Sequence, residues 1–123
     1  MTGGIIVDKH RILIVEDEDN MRFLISEELS DEGYEIEQAS NANECLEKIK
    51  INTFDLITVD IEMPDMNGLE LAGEIRKISP SVKIILLTAY SHYKADLSSW
   101  AADAYVVKSS DFSILKQEIQ HLL

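Results

Sequence analysis

Only one of the 123 residues is a cysteine, Cys45, so no intrachain disulfide can form and nothing points to an oxidising compartment. Arginine is almost as scarce: three residues, among 11 bases set against 23 acids, for a formal net charge of -12. Phosphate-rich partners need clustered Lys and Arg, so this balance speaks against direct binding to DNA, RNA or anionic lipid. Long hydrophobic runs are missing too. Met1 to His10 offers only Ile5-Ile6-Val7, which is too short for a signal h-region or a membrane span, and a cytoplasmic protein is expected. Repeats and low-complexity stretches are absent. A composition 46% hydrophobic and 28% charged, at this length, fits one globular domain with a single core.

What is present is a set of four short apolar runs, each ending in a reactive or charged side chain. Ile12-Leu13-Ile14-Val15 leads into Glu16-Asp17, Leu56-Ile57-Thr58-Val59 into Asp60, Ile84-Ile85-Leu86-Leu87 into Thr88, and Tyr105-Val106-Val107 into Lys108. Runs of this kind read as strands buried on both faces, the mark of a parallel α/β sheet. Their carboxyl ends then share the edge where open α/β sheets bind ligands.

The intervening segments read as helices. Asp19-Asn20 offers an N-cap for a first helix carrying Met21, Leu24, Ile25 and Leu29, stopped at Gly33. Tyr34 to Ala39 alternates, as in a strand nearer an edge, and Asn41 with Glu44 forms a capping box before Ala42, Cys45, Leu46 and Ile49. Pro64, Asn67 and Gly68 mark a loop, after which Leu69, Ala72, Ile75 and Ile78 give a third helical stripe closed by Ser79-Pro80. A fourth strand is expected over Val82 to Ala89 and a weaker helix over His92 to Trp100. Ser109-Ser110-Asp111 can cap a last helix with Phe112, Leu115, Ile119 and Leu122. Five strands alternating with five helices predict a doubly wound parallel sheet with helices on both faces, and this count suits the flavodoxin-like order 2-1-3-4-5. Cys45 falls on an apolar stripe and is expected to pack in the core. His10, His92 and His121 follow no ligand spacing, and Trp100 receives no role.

Three carboxylates in one small space are tolerable only if protons or a cation offset their charge. Mg²⁺ takes oxygen ligands and leaves positions open for a phosphoryl group. Thr88 can donate to a phosphoryl oxygen, Lys108 can supply positive charge, and a carboxylate facing them can be the nucleophile that forms an aspartyl phosphate. Asp60, central in the expected strand order, is the choice.

With these segments in place the chain resembles a receiver domain of two-component response regulators, of the single-domain chemotaxis-regulator type. The resemblance rests on Ile12 to Glu18, on Asp55 to Gly68 with its Asp60-Ile61-Glu62-Met63-Pro64-Asp65-Met66-Asn67-Gly68 stretch, on Leu87-Thr88-Ala89 and on Asp103 to Lys108. It implies a receiver domain over 11–123 behind a short extension, 1–10. It also implies Asp60 as phosphoacceptor, with Glu16, Asp17, Asp60 and the backbone carbonyl of Glu62 around Mg²⁺ or Mn²⁺. Thr88 would be the switch hydroxyl, Lys108 the phosphate-pairing lysine, and Tyr105 the aromatic switch whose ring turns inward on activation. Glu62 and Tyr90 would flank the site and tune access of water. The implied phosphodonor is a sensor histidine kinase or a histidine phosphotransfer protein. The implied output is a change in the face made by the fourth helix, fifth strand and fifth helix, read by a downstream protein that the sequence does not name.

Three departures stand out. Glu16 occupies a position where many relatives have Asp, and Lys108 is followed by Ser109 where Lys-Pro, often cis, is common. The segment between Thr88 and Lys108 is a little shorter than usual and rich in Ser and Ala, which predicts a short or irregular fourth helix. Leu122-Leu123 closes the last helix without a linker, so a module acting alone, and no enzyme beyond its own phosphorylation and dephosphorylation, is expected. Two other readings are a pseudo-receiver that binds partners without phosphorylation and a small Mg²⁺-dependent aspartyl-phosphate hydrolase like the haloacid dehalogenase fold. The hydrolase calls for Asp-x-Asp at the first strand and a cap, where this chain has Glu16-Asp17-Glu18 and no segment to spare.

Overall fold

Parallel strands that are apolar on both faces need helices on both faces, and the computed structural model, which describes residues 9–90 and 101–123, has that arrangement. The strands are β1 (Arg11–Val15), β2 (Glu35–Ala39), β3 (Leu56–Asp60), β4 (Lys83–Thr88) and β5 (Ala104–Val107). All pair in parallel, in the order β2-β1-β3-β4-β5. Burial tracks position in that order: every residue of the central β3 is buried, whereas edge β2 is largely open. The helices are α1 (Asp19–Asp31), α2 (Ala42–Ile51), α3 (Gly68–Ile78) and α4 (Ser113–Leu122). The helix expected over His92 to Trp100 lies outside the described residues.

Alternation along the strands splits the core in two. Leu13, Val15, Ile57, Val59, Ile84 and Leu86 meet Cys45 and Ile49 of α2 and Leu71, Ala72 and Ile75 of α3 on one face. Ile12, Ile14, Leu56, Ile85, Leu87 and Val106 meet Ile25 and Leu29 of α1 and Leu115 and Ile119 of α4 on the other. Each such side chain, fully buried, contributes roughly 1.5–3 kcal/mol. Leu24 and Ile78, expected on buried stripes, are exposed instead, because the sheet covers a narrower arc of each helix than the apolar spacing suggests.

Local chemistry sets the helix ends. α1 starts one residue earlier than expected: Glu18, not Asp19 or Asn20, is its cap, accepting at 3.1 Å from the Met21 amide. The α1 chain reverses at Gly33, where φ of 94° suits only glycine. At α2 Asn41 caps the helix as expected, its Oδ1 accepting from Glu44 N at 2.8 Å, while Glu44 Oε1 reaches one residue past the capping-box position and accepts from Ser40 N at 2.7 Å. Ahead of α4, Asp111 Oδ1 accepts from Ser113 N at 2.9 Å. The Lys108–Ser109 peptide preceding it is trans.

Two long-range devices fix the two ends of the sheet. At the amino end, Arg76 of α3 gives its guanidinium to the carbonyls of Pro80, Val82 and Ala101 and to Asp103, tying the approaches to β4 and β5 together. At the carboxyl end, α3 begins hard against the β3 exit. Gly68 N donates to Ile61 O at 3.0 Å, and a Cβ at Gly68 would press on the Asp60 carbonyl and lie 2.7 Å from Ile61 Cα. Since backbone is what it would strike, Gly68→Ala is expected to cost about 2–3 kcal/mol in urea unfolding. An unchanged midpoint would show that α3 can retreat from β3. Thr58, buried in the middle of β3, has a hydroxyl without a protein partner. Thr58→Val removes that uncompensated group in the same shape and is expected to raise stability by about 1 kcal/mol.

Candidate functional site

The strand register assembles the site. Val15 lies beside Val59, Asp60 beside Leu87, and Thr88 beside Val107, so Glu16 and Asp60 are level, Thr88 stands one residue further along and Lys108 two, all at the same edge. Backbone bonds continue past the strand ends: Glu16 N to Ala39 O at 3.1 Å, Ile61 N to Leu87 O at 2.8 Å, and Lys108 N to Thr88 O at 2.7 Å. Glu16, Asp60 and Thr88 are buried there, and Asp17 is more open.

Lys108 Nζ stands between two carboxylates, 3.1 Å from Asp60 Oδ1 and 2.8 Å from Glu16 Oε1, the latter an ion-pair contact rather than an aligned hydrogen bond. The amide of Glu62 also donates to Asp60 Oδ1, at 3.1 Å, and that of Glu18 to Glu16 Oε2, at 3.1 Å. Arg22 of α1 holds the Glu16 main chain by donating to its carbonyl at 2.8 Å while pairing with Asp19. Burial, reinforced by the Glu16 carboxylate beside it, pushes the Asp60 carboxyl up to about 8 against the pull of Lys108. Burial lowers the Lys108 ammonium, but Glu16 and Asp60 outweigh it and the net direction is up.

Thr88 does not face Asp60. Its hydroxyl donates to Glu62 Oε2 at 2.6 Å, and the next amide, Ala89 N, donates to Glu62 Oε1 at 3.1 Å. The Tyr90 amide donates back to Thr88 Oγ1 at 3.1 Å, and the Tyr90 side chain is exposed. Tyr105 is half-buried and packs on the core face that α2 and α3 cover. The structure therefore gathers Glu16, Asp60 and Lys108 into contact, sets Asp17 beside them, and links Glu62 to Thr88. Neither Arg22 nor the Ala89 amide was foreseeable from residue type or spacing. The adjacency of β3 and β4 in the expected order was the one available signal, since it brings the residues just past Asp60 next to those just past Thr88.

Carboxylate oxygens of Glu16, Asp17 and Asp60 lie within 4.8 Å of one another, and no other such group of His, Cys, Asp or Glu occurs among the described residues. Oxygens around Mg²⁺, bound at about 2.1 Å, are separated by about 3–4 Å, so the three need only draw in slightly to fit a hard divalent cation. The raised Asp60 carboxyl gives this a pH signature. Folded Asp60 keeps its proton to about pH 8, whereas an unfolded aspartate loses it near 3.8. Between those values the folded chain binds more protons, so metal-free stability falls as pH rises. The urea midpoint without metal is expected to drop from pH 5 to pH 8, more steeply than in Asp60→Asn, and saturating Mg²⁺ should flatten that difference. A metal-free slope identical in the two chains would exclude the buried proton.

A family model described as the response regulator receiver domain matches residues 12–120. The chain is 38% identical over 115 residues to the response regulator ArlR of Staphylococcus saprophyticus, covering 92% of this chain and 52% of that protein. It is 38% identical over 101 residues to the chemotaxis protein CheY of Thermotoga maritima, covering 80% and 84%. It thus spans about half the length of ArlR and 26% of the transcriptional regulatory protein ZraR of Klebsiella oxytoca. Among solved structures, it is similar to the response regulator TrrA of Thermotoga maritima in complex with Mg²⁺-BeF, at 59% identity and TM-score 0.87, covering 93% of this chain and 99% of that one. TrrA in the complex with histidine kinase ThkA matches at 58% identity, 93% and 98% coverage, and TM-score 0.85. A parallel sheet in the order 2-1-3-4-5, an acidic cluster at its carboxyl edge and a family match over nearly the whole length agree: this chain belongs to the response regulator receiver domain family.

Proposed function

We propose that this chain, over residues 11–123, is the phosphoacceptor module of a two-component relay. The observation that carries the proposal is the Lys108 ammonium held between the buried Glu16 and Asp60 carboxylates at the carboxyl edge of the sheet. That a relative of 59% identity was solved with Mg²⁺-BeF, and with histidine kinase ThkA at 58%, supports it.

In this reading Asp60 attacks the phosphorus of a phosphohistidine on a sensor kinase or phosphotransfer protein. The new O–P bond forms as the donor's N–P bond breaks, and the departing imidazole nitrogen takes up a proton. Lys108 moves from balancing Glu16 and Asp60 to balancing the charge spread over the phosphoryl oxygens. A divalent ion, Mg²⁺ or Mn²⁺, held by Glu16, Asp17, Asp60 and the Glu62 carbonyl would neutralise that charge and displace the Asp60 proton. Thr88 then turns its hydroxyl to the phosphoryl group, and Tyr105, on the neighbouring strand, follows into the space this vacates. Glu62 and Tyr90 flank the approach of water. The altered surface is read by a downstream protein, and the chemistry is confined to the module's own phosphorylation and dephosphorylation. No described helix is long and apolar enough to cross a membrane, and the acidic surface disfavours nucleic acid.

Intact mass after incubation with Mg²⁺ and a small-molecule phosphodonor tests this. One phosphoryl adduct on the wild-type chain, absent from Asp60→Ala and absent without Mg²⁺, is the expected result. An adduct that survives Asp60→Ala would move the acceptor elsewhere, and none on either chain would leave a module that acts without phosphorylation.

A further inference from the structure

We propose that the Glu62 side chain is an internal competitor for the phosphoryl group, holding the Thr88 hydroxyl and the Ala89 amide until a phosphoryl group on Asp60 takes them. This rests on Asp60 being the acceptor. The two Glu62 oxygens accept one bond each, from Thr88 Oγ1 at 2.6 Å and from Ala89 N at 3.1 Å. The Tyr90 amide occupies a lone pair of the same hydroxyl, at 3.1 Å, which leaves the Thr88 proton directed at Glu62. Meanwhile the Glu62 amide is fixed on Asp60 Oδ1 at 3.1 Å, so the competing carboxylate is tethered to the very residue that would carry the phosphoryl group.

A hydroxyl and an amide that converge on a planar anion are a ready site for a tetrahedral one, whose oxygens are spaced similarly and accept charge-assisted bonds of the same kind. Only one anion can hold both donors. The apparent affinity for a phosphoryl group is therefore lowered by the fraction of molecules in which Glu62 has not let go. Glu62 is thus a positioning residue that sets how much phosphoryl binding is required before Thr88 turns, and it acts through two hydrogen bonds and not through its charge alone.

The test uses Mg²⁺ with beryllofluoride as the probe, on the wild-type chain, Glu62→Ala and Glu62→Asp, reading the Thr88 and Ala89 amide resonances. Both variants keep the main-chain carbonyl and amide. Glu62→Asp also keeps the charge but is one methylene too short to reach both donors. Before the probe is added, the Ala89 amide is expected to exchange faster with solvent in both variants. Both are then expected to bind beryllofluoride roughly tenfold more tightly than wild type, the scale of one charge-assisted hydrogen bond no longer displaced. Equal or weaker binding by Glu62→Ala would overturn the competitor, as would tighter binding by Glu62→Ala with Glu62→Asp unchanged, which would reduce the effect to charge. Wild-type chain that forms no beryllofluoride complex at all would overturn the acceptor reading, and the competitor with it.

Discussion

Two carboxylates buried side by side at the end of a sheet repel each other and have lost the water that would solvate them. The Lys108 ammonium is what makes the arrangement tolerable. Removing one member of such a set leaves an uncompensated buried charge, a penalty of about 3–5 kcal/mol, whereas the intact set adds little net stability. The set is therefore held in place by the rest of the fold. Its members, Glu16, Asp60 and Lys108, stand at or just past the ends of β1, β3 and β5, and the parallel register brings those three ends to one edge of the sheet. The proton on Asp60 and the ammonium of Lys108 are two answers to the same excess of negative charge, and a divalent cation is a third. Exchange among the three is what the site can do chemically.

Rigidity around this point comes from contacts that have no chemistry of their own. Gly68 lets α3 abut the backbone of Asp60 and Ile61, so the loop carrying Glu62 starts from a fixed exit. Arg22 fixes the Glu16 carbonyl from α1, on the opposite face of the sheet. Arg76 closes the far end of β4 and β5 with a single guanidinium spread over three carbonyls and Asp103. Each uses a donor set or a missing side chain that few other residues could supply.

How legible was this in the sequence? The strand ends were, because a run buried on both faces is short, apolar and bounded by a polar residue, and the order of a five-stranded doubly wound sheet then fixes which ends meet. The Asn41 cap was legible because its partner, the Glu44 amide, lies within one turn, whereas the return bond from Glu44 goes to the Ser40 amide and not to that of Asn41. The cap at Glu18 was not, since Asp19 and Asn20 are the commoner capping types and nothing local ranks them. Leu24 and Ile78 share a helical period with buried neighbours, but period says which face a residue is on and not how far the sheet extends beneath it. The hydroxyl of Thr58 stayed hidden because a β-branched residue in an apolar strand reads as packing. The bond from Thr88 to Glu62 joins residues 26 apart and depends on a loop conformation that no periodicity encodes. Arg76 reaching to Ala101 and Asp103 is of the same kind.

Residue 62 divides its work between main chain and side chain. Its amide, fixed on Asp60, would be supplied by any amino acid other than proline, while its carboxylate alone engages Thr88 and Ala89. The two jobs are therefore separable by a single codon change. A substitution at residue 62 removes the hold on Thr88 and Ala89 and leaves the amide bond to Asp60 in place.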